Sequence, residues 1–311
     1  MTTRKLTRED VTFLIDLVRR HSGIVLPPEK SYLFESRLLP VAGRFGCPDL
    51  AALIRRLRAG GDRELEMAAV DAMTINETSF FRDSRPFDYF ANTLLPQLIE
   101  RRARSRRLRL WSAAASTGQE AYSLAMLLEE AADRLRGWQV EILASDISAS
   151  AIAKAAEGIY SQFEVQRGIP TRLLIRHFTQ NGKQWQVKPS LKKYVRFFEH
   201  NLLSPPRFSG TVDVVFLRNV LIYMDDATRR RILDHILSRL APDGYLFVGS
   251  TESLTGLADR LVPVPGAHAV YQPIAGARDE RAQPSRATPG AGLGARLGTR
   301  PRMPSAAFGS S

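Results

Sequence analysis

The amino-acid sequence predicts an α/β protein: a doubly wound, Rossmann-like sheet preceded by a small all-helical domain. Three observations carry this. Residues 7–90 place apolar side chains at helical spacing and show no period-two alternation. From Leu108 onward, short apolar runs alternate with helical stretches, as in βαβ units. At the junction, Arg109–Tyr122 (RLWSAAASTGQEAY) reads as strand, small-residue turn and helix, the place where such sheets bind a nucleotide-like ligand.

Thr7 can cap a first helix carrying Val11, Leu14, Ile15 and Val18, stopped near Gly23 and the Pro27-Pro28 pair. A second helix covers Lys30–Phe45, bent or divided at Pro40. Leu50–Arg58 is a third, ended by Gly60-Gly61, and Arg63–Thr74 a fourth. A fifth, Pro86–Arg102, leads into a first strand at Leu108–Trp111. Further strands are expected at Val140–Asp146, Tyr194–Glu199, Val212–Leu217 and Tyr245–Gly249, with a helix over Ala227–Leu240. VDVVFL is apolar enough to lie centrally, and Val262–Tyr271 suits a closing antiparallel pair. Between Gly158 and Lys193, Trp185 and Val187 alternate with polar residues, which suits a small antiparallel subdomain. The expected domains are 1–90 (helical) and 91–275 (sheet, with the subdomain at about 158–193). The tail, 276–311, is rich in Gly, Pro, Ala, Arg and Ser and is expected to be disordered.

At 311 residues and 44% hydrophobic, the chain can build about two domains with real cores. Its start, MTTRKLTRED, lacks an apolar h-region, and no run of 18 apolar residues occurs. Neither a signal peptide nor membrane insertion is expected, and the cytoplasm is the expected compartment. The single cysteine, Cys47, excludes an internal disulfide and a cysteine-based zinc site. The five histidines lack metal-ligand spacing. Of the net charge of +12, residues 91–110 contribute +5 and residues 276–311 contribute +4. The nearly neutral remainder argues against nucleic acid as the partner. The run Arg101–Arg109 is either a patch for an acidic protein surface or a solvated helix end.

The turn after the first strand lacks both GxGxxG and a P-loop Gly-Lys-Ser/Thr. One Gly with Glu120 nearby suits an adenosine ligand without phosphates, such as S-adenosylmethionine; an ordinary βα turn is the alternative. Asp146 ends the second strand, where an acid accepts from ribose hydroxyls or caps the helix beginning at Ser148–Ala151. Arg218-Asn219 directly follows VDVVFL, on the ligand-binding side of a parallel sheet; a snorkelling strand-end Arg is the alternative. Tyr223 reads as a core aromatic with its hydroxyl at the rim. Asn76–Asp83 (NETSFFRD) is either a lid over a cleft or a helix boundary with Phe80 and Phe81 in the core.

Four segments together resemble the chemotaxis receptor methyltransferases, the CheR family: NETSFFRD; WSAAASTGQEAYS; LASDIS with AxxGIY; and VVFLRNVLIYMD with LAPDGYLFVGSTES. They stand in the family's order, and the resemblance covers about residues 10–272. It implies a class I S-adenosylmethionine-dependent methyltransferase domain behind the helical one, with a small β-subdomain inserted late in the sheet. It implies an enzyme that methylates glutamate side chains on chemoreceptor cytoplasmic helices, without metal and as a monomer. Residue by residue, it implies ligand-binding roles for Asn76, Thr78, Arg82, Glu120, Asp146, Asn201, Leu202, Arg218 and Asn219. Tyr223 is implied to face the methyl group, with Arg218 and Arg82 orienting carboxylates. A family arginine ahead of the first strand has several candidates among Arg101–Arg107. One departure is visible: the usual Glu-Glu-Pro-Tyr reads Gln119-Glu120-Ala121-Tyr122, and loss of the proline loosens the helix start. The competing readings are a methyltransferase of another substrate or a related pathway, a non-catalytic S-adenosylmethionine-binding regulator, and a signalling adaptor.

Overall fold

Residues 6–257 and 259–274 are described by a computed structural model; the tail expected to be disordered lies outside them. Helix α1 (Arg8–Ser22) starts at a capping box, in which the Thr7 hydroxyl accepts from the Asp10 N–H and the Asp10 carboxylate accepts from the Thr7 N–H. It stops at Gly23, whose φ of +77° costs glycine little. The helices α2 (Tyr32–Arg44), α3 (Leu50–Ala59) and α4 (Arg63–Met73) follow, the last two capped by Asp49 and Asp62. Leu14, Leu17, Phe34, Leu38, Leu53 and Leu65 close a core of their own between these helices. Pro40 does not divide α2. It is exposed, as is Ser36, the residue four back whose carbonyl loses its donor, so water can take the orphaned acceptor.

The expected fifth helix is present in three parts: α5 (Arg85–Tyr89), a wide π turn (Phe90–Leu94) and α6 (Leu95–Arg101). Pro96 has no N–H for the carbonyl of Asn92, which accounts for the change of pitch. The chain then runs through β1 (Arg107–Ala113), α7 (Gln119–Glu130), β2 (Gln139–Asp146) and α8 (Ala149–Glu157). An insertion follows: β3 (Ile159–Ser161), α9 (Gln162–Gln166), α10 (Thr171–His177), β4 (Phe178–Asn181), β5 (Gln184–Val187) and α11 (Pro189–Lys192). The main sheet resumes with β6 (Val195–Glu199), β7 (Val212–Leu217), α12 (Asp226–Leu237), β8 (Leu240–Val248), β9 (Leu261–Pro263) and β10 (Val270–Pro273).

Seven strands form one sheet in the order β6-β2-β1-β7-β8-β10-β9. The first five are parallel, and β10 runs antiparallel to both β8 and β9. The chain steps outward from β1 through β2 to β6, then returns to β7 on the other flank. The switch of direction opens a crevice beyond the carboxyl ends of β1 and β7, where ligands of such sheets bind. Both faces are covered, so the strands are apolar on both sides. Leu110, Ile142, Val214 and Phe216 belong to the core under α7. Their neighbours Trp111, Leu143, Val215 and Leu217 belong to the core under α12.

The insertion is a three-stranded antiparallel sheet, β3-β5-β4. Its helix α10 is fastened to α7 by Glu130, which pairs with Arg172 (2.6 Å) and Arg176 (2.7 Å). No helix among the described residues is long and apolar enough to cross a membrane.

Two local expectations are corrected. The strand expected at Tyr245 begins at Leu240, across an irregularity in register opposite Val212–Val214, and α12 correspondingly ends at Leu237. The N-terminal region is not purely helical, because Ile24 forms an antiparallel bridge with Met224, 200 residues away in sequence. Within the run Arg101–Arg109, Arg101, Arg104, Arg106 and Arg107 are exposed, whereas Arg102 and Arg109 are engaged inside the fold. Arg102 bonds Asp213 (2.7 Å) and Asp243 (2.6 Å), and Arg109 pairs with Glu141 (3.0 Å) and donates to the Ser209 carbonyl (2.8 Å). The run sits at the amino end of β1, the opposite end of the sheet from the crevice.

Candidate active site

At the switch point lies a cavity of about 890 Å³, counted out to its open mouth. Asn76, Thr78 and Arg82 reach it from the segment that joins α4 to α5, and Glu120 from the first turn of α7. Asp146 reaches it from the end of β2, Asn201 and Leu202 from just beyond β6, and Arg218, Asn219 and Tyr223 from just beyond β7. The ten residues named from the sequence thus converge on one cavity. None of Arg101–Arg107 lines it.

The helical domain supplies part of the wall. Ser22 and Ile24 line the cavity beside Tyr223 and Met224. The Val25 N–H donates to the Tyr223 carbonyl (2.8 Å), and the Asn201 side-chain amide donates to the His21 carbonyl (2.6 Å). Arg19 pairs with Asp225 (2.7 Å). The Asn201 oxygen accepts from the Leu203 N–H (2.9 Å), a local bond that fixes the amide whose nitrogen joins the two domains.

Among the described residues eight non-glycine residues have positive φ; Ala114, Ser116 and Asn219 line the cavity, and Phe81, Asp83 and Ser84 flank the cavity residue Arg82. Strained backbone of this kind persists only where the surroundings over-determine it, and it clusters at functional sites. Between Asn76 and Asp83 no helix forms; Phe80 is fully buried in the sheet-domain core, while Asn76, Thr78 and Arg82 face the cavity.

Two carboxylates line the cavity, the buried Asp146 and the partly buried Glu120, and a third, Glu252, is buried beside the loop that follows β7. Asp146 accepts from the N–H groups of Ser116 (2.8 Å) and Ser148 (3.0 Å). It is not the helix cap: Ser148 caps α8 with its own hydroxyl. Burial pushes the Asp146 carboxyl up, against the backbone N–H groups of Ser148, Ser116 and Ile147, which favour the ionised form. Glu120 accepts from the Ser112 hydroxyl (2.7 Å) and from Arg218 (3.1 Å). Glu252, given no role in the sequence reading, accepts from the N–H groups of Gly249 (2.6 Å), Asn219 (2.8 Å) and Ile222 (3.2 Å). It thereby ties the loop that carries Arg218 and Tyr223 to the end of β8. An acid inside GSTES directly after an apolar strand is a cue that could have drawn attention to it.

Arg218, expected to orient a substrate carboxylate, is engaged by the chain's own groups. Its side chain is 2% exposed, and its guanidinium already donates to Glu120, to Asp83 (2.8 Å) and to the Arg82 carbonyl (2.9 Å). It packs over the Phe87 ring at 5.5 Å. Only Nε is without a hydrogen-bond partner. The cation thus bridges Glu120 and the 82–83 segment.

His200 lines the cavity with its Nε2 buried and unpartnered. Burial pushes its imidazole down to about 4, helped by Arg207 and His235. The ring is therefore neutral at physiological pH. The unfolded chain, with an imidazole near 6.5, binds a proton between about pH 6.5 and pH 4 that the folded chain does not. Stability is expected to fall on acidification through that window, by up to about 3 kcal/mol. Urea unfolding across it checks this, and His200→Phe should flatten that arm of the curve.

Residues 9–74 match the all-alpha domain of CheR methyltransferases, and residues 76–270 match their S-adenosylmethionine-binding domain. The chain belongs to the CheR methyltransferase family. It is 42% identical over 241 residues to a chemotaxis protein methyltransferase of Vibrio parahaemolyticus, covering 76% of this chain and 86% of that one. It is 38% identical over 263 residues to chemotaxis protein methyltransferase 1 of Vibrio cholerae, covering 84% and 94%. A Pseudomonas aeruginosa relative, also named chemotaxis protein methyltransferase 1, is 42% identical over 243 residues. As a CheR-family protein, the chain is an S-adenosylmethionine-dependent methyltransferase of chemotaxis, with a helical domain, a class I methyltransferase sheet and a small antiparallel insertion. The cavity suits that ligand: it has small side chains at Ala114 and Ser116, a buried acid at the end of β2, and unpartnered polar nitrogens on His200 and Arg218.

Proposed function

We propose that this protein methylates glutamate side chains on the cytoplasmic helices of chemoreceptors, forming methyl esters, and that it works in the cytoplasm. The observation that carries the proposal is the convergence of ten family-motif residues on one cavity walled by both domains. S-adenosylmethionine supplies an electrophilic sulfonium methyl when bound.

The residues of the chain divide the remaining work. Asp146 receives ribose hydroxyls, and Ala114 and Ser116 let the backbone approach. Asn76, Thr78 and Arg82 border the ligand from the interdomain segment, and Asn201, Leu202 and Asn219 from the strand ends. Arg218 positions Glu120 and the 82–83 segment. No general base is required, since a glutamate with pKa near 4.3 is already ionised at neutral pH. This accords with His200, the one histidine on the cavity wall, being buried and neutral. A carboxylate and a sulfonium react to neutral products, so charge disappears on the way to the transition state, and water slows the reaction. The residues must exclude water and hold oxygen, methyl and sulfur in line, an alignment worth roughly 7–11 kcal/mol.

Tyr223, half-buried at the seam between domains, is assigned to pack against the methyl group. Tyr223→Ala should lower turnover on the order of 100-fold while cofactor affinity changes only a few fold. A large loss of affinity with unchanged turnover of the bound enzyme contradicts that assignment.

The function is tested by incubating the protein with methyl-labelled S-adenosylmethionine and receptor cytoplasmic fragments, then treating the product with base. Volatile labelled methanol is the expected result and marks a carboxyl methyl ester. Base-stable label overturns the substrate class, and cofactor binding without label transfer favours the regulator.

A further inference from the structure

The inserted subdomain touches two of the segments that line the cavity, and one residue makes both contacts. Tyr160 of β3 is fully buried, and its hydroxyl donates to the Thr117 carbonyl (2.7 Å). Its ring meets Phe80 edge-on at 5.0 Å. Phe178 of the subdomain closes on the same Phe80 ring at 5.7 Å.

Thr117 belongs to the tight turn between β1 and α7. There the N–H groups of Ala114 and Ala115 donate to the Ser145 carbonyl (2.9 and 2.8 Å). The Ser116 N–H donates to Asp146, and the Ser116 hydroxyl to the Asn76 carbonyl (2.9 Å). The turn is moulded to the tyrosine: a Cβ on Gly118 would lie 3.0 Å from the Tyr160 hydroxyl and 2.8 Å from Ala155. Phe80 is held just as closely, since a Cβ on Gly168 would overlap its carbonyl oxygen. Burial pushes the Tyr160 hydroxyl well above the usual phenol range, so it stays a donor.

We propose that Tyr160 is a positioning residue for the cofactor: its hydroxyl fixes the turn that aims Ser116 at Asp146, and its ring fixes the segment carrying Asn76, Thr78 and Arg82. The inserted subdomain is then part of the machinery that sets cofactor affinity. The proposal rests on the reading that S-adenosylmethionine occupies this cavity.

Tyr122 provides an internal control. It is as buried as Tyr160, its ring lies 6.2 Å away, and its hydroxyl donates to the Ala155 carbonyl (2.9 Å) in α8, off the cavity wall. Tyr160→Phe and Tyr122→Phe each delete one oxygen from the same aromatic cluster and keep the ring. Calorimetric titration with S-adenosylhomocysteine and thermal melting are run on the full chain and both variants. Both variants should melt a few degrees lower. Only Tyr160→Phe should weaken binding, by about 5- to 10-fold, the loss expected for one buried hydrogen bond. Tyr160→Phe within twofold of the unmodified chain overturns the proposal, and so does an equal loss in Tyr122→Phe. Failure of the unmodified chain to bind overturns the cofactor placement first and this proposal with it.

Discussion

Arg218→Ala is expected to lower folding stability by about 3–5 kcal/mol and to abolish measurable cofactor binding at micromolar ligand. The cost comes from what the arginine leaves behind. Glu120 stays largely enclosed with the Ser112 hydroxyl as its remaining hydrogen-bond donor, and Asp83 and the Arg82 carbonyl lose their shared donor. Asp83 is partly exposed, so water recovers some of its share, whereas the Glu120 side chain is 12% exposed and recovers little. Arg218→Lys should rescue only in part, because a point ammonium cannot span two carboxylates and a carbonyl as a guanidinium does. Urea titration and calorimetry measure both effects. An Arg218→Ala chain within about 1 kcal/mol of the parent and binding normally contradicts the positioning role.

Glu252→Ala is expected to have an effect of similar size by a different route. It leaves the buried Gly249 N–H and the part-buried N–H groups of Asn219 and Ile222 without their acceptor; an orphaned buried donor costs about 1–3 kcal/mol, and the other two cost less because water reaches them. The loop bearing Arg218 and Tyr223 should loosen, so turnover should fall more than the loss of folded protein explains. Glu252→Gln separates hydrogen bonding from charge. Gly249 and Asn219 share one carboxylate oxygen and Ile222 uses the other, so the amide oxygen can keep two donors while its NH2 faces the third. An intermediate loss is expected for Gln, and equal losses for Gln and Ala contradict the geometry. Activity normalised to folded protein, alongside denaturation, distinguishes these outcomes.

The main-chain organisation was legible because periodicity and composition report burial, and burial here is simple. VDVVFL is apolar because β7 is covered on both faces, and the spacing of Leu14, Leu17 and Val18 follows from one buried face of α1. The cavity residues were legible through motif order, since a switch-point site draws on the ends of several strands. What stayed hidden depends on contacts between distant segments. Nothing around Ile24 announces a partner at Met224, and a run of arginines does not reveal that Arg102 and Arg109 are consumed by Asp213, Asp243 and Glu141. Arg218 looked like a ligand group because a strand-end arginine is unusual. Its engagement with Glu120 and Asp83 becomes visible only once α7 and the 76–84 segment are folded against β7. Beyond its place after an apolar strand, Glu252 gives no signal in the sequence because its partners are backbone N–H groups, which carry no side-chain signature.

The short bridge between Ile24 and Met224, with the Val25 N–H on the Tyr223 carbonyl, limits how this enzyme can be recombined. A helical domain grafted from a relative brings its own residues into the cavity wall and must meet the Tyr223 backbone in register. Gly23 tightens the requirement, because any larger residue there collides with Thr228. Chimaeras cut between residues 74 and 76, where the two family domains abut, are therefore expected to inherit activity only when the partner of the bridge travels with it. The two domains are separable as names but inherited as a pair.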